Sequence, residues 1–93
     1  MRGHKFEIEA DDVESVLIEQ DFKCALTQQP IVCPYGREQE RTLSVDQIEP
    51  GKGYVTGNFQ CVTKSVNRMK LDLSQEDFIK WCTLIANHAE GIK

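Results

Sequence analysis

The chain has 93 residues, 40% hydrophobic and 28% charged, which is enough for one domain with a modest core. Its net charge of −4 argues against a protein whose whole surface clings to nucleic acid. No apolar run approaches the ~18 residues that a membrane-spanning helix needs, and residues 1–7 lack the apolar centre of a signal peptide, so a cytoplasmic protein is expected. In that setting four cysteines read as thiols or metal ligands before disulfides.

In chain order, Asp11 or Asp12 can cap a first helix running to about Gln20, with Val13, Val16, Leu17 and Gln20 at helical spacing. Residues 24–33 read as a short hairpin turning at Gln28–Pro30, ended by Pro34 to Gly36, and 37–42 as loop. Leu43, Val45 and Gln47 alternate with Ser44, Asp46 and Ile48, the period of a strand. Pro50, Gly51 and Gly53 break it, and Gly57–Asn58 marks a second turn. A second strand is expected over Phe59–Val62, then a helix from about Thr63 to Lys70 that buries Val66 and Met69. Ser74, with Asp77 three residues on, caps a last helix whose face of Phe78, Cys82, Ile85 and Ala89, widened by Trp81 and Leu84, reads as core. This succession is a small α+β fold.

Charge is distributed unevenly. Residues 1–22 carry seven acids against two bases, whereas residues 41–70 hold Arg41, Lys52, Lys64, Arg68 and Lys70 against only Asp46 and Glu49. The one basic segment therefore coincides with the segment richest in chemistry. There Asp46 offers a hard carboxylate oxygen from a strand and Asn67 an amide oxygen from a helix, a pair suited to Mg²⁺ together with phosphate oxygens and water. Asn58, at a turn, can tie the 49–57 loop to the backbone.

Ser44 to Pro50, Gly57–Asn58 and Asn67 to Lys70, in that order and spacing, resemble the three signatures of the HNH endonucleases, the ββα-metal nucleases. The likeness spans roughly residues 24–82 and is closest to small phage-type members that also carry a Gly-Tyr loop, here Gly53–Tyr54. The resemblance implies a single domain over 1–93 with a ββα-metal core at about 43–70, flanked by N- and C-terminal helices, in a bacterial or phage-infected cell. It implies a DNA-cutting or nicking enzyme using Mg²⁺ or Mn²⁺, with Asp46 and Asn67 as metal ligands, Asn58 as the structural asparagine, and Lys52, Lys64, Arg68 and Lys70 near the phosphate backbone. Where the family has the histidine that activates water, this chain has Gln47.

Glutamine does not titrate, and a missing general base is worth roughly 10²–10⁴-fold in rate. Three readings stay open: a weakened nuclease, in which Gln47 positions a water by hydrogen bonds and bulk base, or Glu49 or Tyr54, takes the proton; a non-catalytic module of the same fold that binds DNA or a protein partner; and a glutamine introduced to trap an inactive enzyme. A homodimer would extend what so small a domain can read on DNA. The paired Cys-x-x-Cys motifs that brace many family members with zinc are absent; Cys24, Cys33 and Cys61 could hold a structural zinc only with a fourth ligand, and the plainer reading of all four cysteines is as small hydrophobes, Cys82 most clearly. His4 and His88, near the termini, read as surface residues.

Overall fold

The computed structural model describes residues 7–32 and 41–92. The first helix, α1 (Ala10–Glu19), starts earlier than the acids suggested. Glu9 is its N-cap, and Asp12 reaches back to accept the Glu9 N–H at 2.9 Å, a reciprocal closure of the first turn. The helix ends because the chain turns through Asp21 and Phe22, both at φ 58. That turn leaves the Gln20 side chain facing the sheet.

Two antiparallel strands follow, β1 (Leu43–Gln47) and β2 (Phe59–Thr63), paired from Leu43 with Thr63 to Gln47 with Phe59. Every residue of β2 is buried, whereas β1 buries only Asp46 fully. The open edge of β2 is closed by a side chain: the Gln20 amide donates to Cys61 O at 2.8 Å and accepts from Cys61 N at 3.1 Å, as a neighbouring strand would. Ala25 N adds a bond to the same carbonyl.

Where a hairpin over 24–33 is expected, the described residues form a tight turn closed by Cys24 N on Gln29 O, with a single antiparallel bridge between Lys23 and Pro30 in place of strands; Val32 then bridges Thr42 just before β1. The far end of the expected hairpin, with Cys33 and the Pro34–Gly36 turn, lies outside the described residues, as does His4. The short helix α2 (Lys64–Lys70) leaves β2 directly and packs on both strands. The core is Leu17, Cys24, Ile31, Cys61, Val62, Val66 and Phe78. The described chain is therefore a small α+β domain of three helices and a two-stranded antiparallel sheet.

The last helix, α3 (Gln75–Ile92), begins as its sequence indicates, with Ser74 Oγ accepting the Asp77 N–H at 3.1 Å. Its face does not become core. Phe78 is buried, but every residue from Ile79 to Gly91 is exposed, including Trp81, Cys82, Leu84 and Ile85. Met69 is exposed as well. The first turn of α3 already completes the core, and no described element lies over the rest of the stripe. Trp81 carries the Lys80 ammonium over its ring at 5.2 Å. No described helix is long and apolar enough to cross a membrane.

Leu71 ends α2 at φ 51, ψ −124, a conformation that a side chain disfavours, while the side chain itself is 74% exposed. Leu71→Gly should therefore stabilise the fold by about 1 kcal/mol. Urea unfolding of the two proteins checks this; an unchanged or lower midpoint would contradict it.

Candidate functional site

The site is built where β1 ends. β1 delivers Asp46 and Gln47, the 48–58 loop returns Tyr54, and α2 brings Asn67 back over the sheet. Asp46, Gln47, Pro50, Tyr54, Asn67, Leu71 and Asp72 line one half-open pocket of about 180 Å³. The structure thus brings together three of the motif residues that the sequence separates by up to twenty-one positions. It adds Asp72, which sequence reasoning missed because it lies beyond the last signature; its place just after the helix end was the available signal.

The most consequential contact is on Asp46. Lys70, with no exposed surface, places Nζ 3.1 Å from Asp46 Oδ1 and donates also to Gln47 O at 2.9 Å. Gln60 Nε2 donates to the other Asp46 oxygen at 2.9 Å and also reaches Gln75 Oε1 at 2.8 Å. A chain of buried polar groups therefore joins α2, both strands and the start of α3. Lys70 is consequently not on the exposed basic face expected for phosphate contact. The carboxylate needs a buried counter-charge, and the Lys70 ammonium supplies it.

Asn67 lies one turn before Lys70 on the same side of α2. Its Nδ2 donates to Ser44 Oγ at 2.6 Å, which fixes the amide on β1 and leaves Oδ1 as the atom able to serve a cation.

Gln47 does something other than hold water. Its Oε1 accepts the backbone N–H groups of Gly51 at 3.1 Å and Gly53 at 2.9 Å. Both glycines sit near φ +90, where side chains are strained, so the loop can turn its amides inward only at such positions. Asn58 performs the structural task expected of it: Oδ1 accepts Glu49 N at 3.0 Å, and Nδ2 donates to Glu49 O and Gly53 O. Two side-chain amides, one from each strand end, therefore hold the same loop.

The other residues of the basic and acidic set divide. Glu49 is not in β1; it lies in the bend after it, and its carboxylate meets Lys52 Nζ at 2.8 Å on the surface. Glu49 holds the Lys52 ammonium above its ordinary pKa, though so exposed a pair contributes little to stability. Tyr54 does reach the pocket. Lys64 opens α2 half-buried and Arg68 is exposed on it. Cys24 and Cys61 are buried free thiols, Cys82 is an exposed one, and His88 is exposed. Burial pushes the Cys24 thiol up, but hydrogen bonds from Thr27 and the backbone of Leu26, Thr63 and Thr27 outweigh it, for a net downward shift. No cluster of three or more His, Cys, Asp or Glu side chains suited to a metal occurs among the described residues.

Comparison of the chain with models of known protein families, with curated proteins and with solved structures returned no match.

Two measurements check this geometry. Lys70→Met should cost about 3–5 kcal/mol by stranding the Asp46 charge, whereas Lys70→Met with Asp46→Leu should recover most of it; equal losses in both would contradict a buried pair. Gln47→Leu should cost about 2 kcal/mol for the two loop amides that lose their acceptor, and Gln47→Glu, which keeps an accepting oxygen in that place, under about 1 kcal/mol. Denaturant unfolding reads both, and indistinguishable Leu and Glu variants would rule out the clamp.

Proposed function

We propose that this chain is a divalent-metal-dependent phosphodiester hydrolase acting on DNA, of the HNH-like kind that its signatures resemble. The observation that carries the reading is the pocket itself: Asp46, Gln47, Tyr54, Asn67 and Asp72 converge on one cleft from a strand, a loop and a helix. Support also comes from the antiparallel β1–β2 pair passing directly into α2, with the intervening loop held by Asn58.

The donor set suits Mg²⁺ or Mn²⁺, because Asn67, with its amide nitrogen on Ser44, offers Oδ1, Asp72 offers a carboxylate, and the Asp46 oxygens, shared with Lys70 and Gln60, complete an all-oxygen set. Asp46 and Asn67 would hold the ion, with Asp72 beside them. When bound, such an ion supplies charge stabilisation at the scissile phosphate and its leaving oxygen. The chain's own groups do the rest. Exposed Arg68, Lys52 and half-buried Lys64 would meet the phosphate backbone, while buried Lys70 holds the Asp46 carboxylate in place. With Gln47 engaged by the loop, the proton of the attacking water needs another acceptor. Asp72 fits that role better than Tyr54, because a carboxylate accepts a proton without first losing one.

A second reading rests on a specific observation. The Gln47 oxygen is committed to Gly51 and Gly53, which favours a non-catalytic module that binds DNA or a protein partner with the same surface. Supercoiled plasmid with Mg²⁺ or Mn²⁺ separates the two. The hydrolase reading expects nicking that falls at least about 100-fold in Asn67→Ala and in Asp72→Asn, neither of which breaks the Lys70–Asp46 pair. No nicking under either metal, with DNA still retained at low salt, would leave the binding module.

A further inference from the structure

We propose that Lys70 is a resident cation of the Asp46 site, and that a divalent ion enters this site only together with a phosphodiester. This rests on the hydrolase reading above and concerns how its site is loaded. Asp46 is buried, with one carboxylate oxygen on the Lys70 ammonium at 3.1 Å and the other on Gln60 Nε2 at 2.9 Å. Lys70 has no exposed surface and is held a second time by Gln47 O at 2.9 Å, so the ammonium is fixed rather than free to swing into solvent.

The charge of the protein's own site is then small. Lys70 neutralises Asp46, Asn67 carries none, and Asp72 leaves one negative charge at the rim of the pocket. A divalent ion placed against Asp46 would lie within a few ångströms of a fixed positive charge in a poorly solvated setting. Repulsion of that kind weakens binding on the order of 100-fold or more. A phosphodiester in the pocket supplies the missing negative charge and additional oxygen ligands. The two ligands therefore bind with positive coupling, and by linkage each raises the affinity for the other by the same factor.

A folded, charge-satisfied site without metal follows from this arrangement. So does selectivity in time: metal and substrate assemble together, and the site does not sit loaded between substrates.

Manganese binding tests the proposal without reference to cleavage. Free Mn²⁺ is followed by electron paramagnetic resonance while it is titrated against the wild-type protein, alone and with a short phosphorothioate-substituted DNA duplex, after subtraction of binding to the duplex itself. The expected result is binding too weak to saturate at millimolar Mn²⁺ without DNA, tightened at least about 10-fold by the duplex. Lys70→Met without DNA should bind Mn²⁺ on the order of 100-fold tighter than wild type, and Lys70→Met with Asp46→Asn should lose that gain. Equal affinity of wild type with and without the duplex overturns the proposal, and that arm decides alone if Lys70→Met does not fold. Tight DNA-independent Mn²⁺ binding alongside plasmid nicking would overturn the loading order and leave the hydrolase reading standing. No Mn²⁺ binding in any form, with or without DNA, would overturn both.

Discussion

The Lys70 ammonium against the Asp46 carboxylate, inside the protein, is the contact on which the rest of the site depends. Removing two charges from water is costly, and a pair of this kind adds little net stability compared with apolar residues of the same volume. Its value is geometric. Lys70 is the last residue of α2 and Asp46 the fourth of β1, so the pair fixes how α2 lies on the sheet. With that rotation set, Asn67, one turn earlier, meets Ser44 and presents its amide beside Asp46. Gln60 and Gln75 extend the same polar chain to the start of α3, so the helix that closes the core is registered by the same carboxylate. A mutation at Asp46 therefore perturbs fold and chemistry together, and loss of activity in such a variant says little about metal binding by itself.

The second constraint is the loop between the strands. Ten residues and more without regular structure would normally be mobile, yet here the Gln47 and Asn58 amides accept or donate five hydrogen bonds with the loop backbone. The loop walls the pocket with Pro50 and Tyr54. Gln47 is thus well explained as a structural residue: its carbonyl satisfies two amides that a histidine's single acceptor nitrogen could not serve together. Without a titrating group at that position, efficient hydrolysis needs another proton acceptor, which gives Asp72 its importance in the proposed chemistry.

Much of this was legible in the residues. The alternation from Leu43 to Ile48, the Gly57–Asn58 turn and the Ser74 cap are local signals, and local hydrogen bonding decides them. Asn58 was readable for the same reason. What failed needed three-dimensional information. Lys70 looks like any basic residue at a helix end, and only the packing of α2 on β1 turns it inward. The stripe of Cys82, Ile85 and Ala89 says that a helix face is apolar, but not whether this chain supplies a cover; here the core closes at Phe78. Glu49 was placed on Gln47's side by strand periodicity, which ceases to apply because β1 ends at Gln47. Asp72 and Gln20 act through contacts across the fold, and neither carries a signature of its own.

The central claim is that Asp46 and Asn67 form one divalent-ion site that assembles on DNA. The most direct measurement is a crystal structure of the protein with a short duplex and Mn²⁺, with data collected at the manganese absorption edge. The account predicts an anomalous peak within about 2.5 Å of both an Asp46 oxygen and Asn67 Oδ1, touching a phosphate oxygen. Duplex seated on the protein with the Asp46–Lys70 pair intact and no peak in that pocket would contradict it.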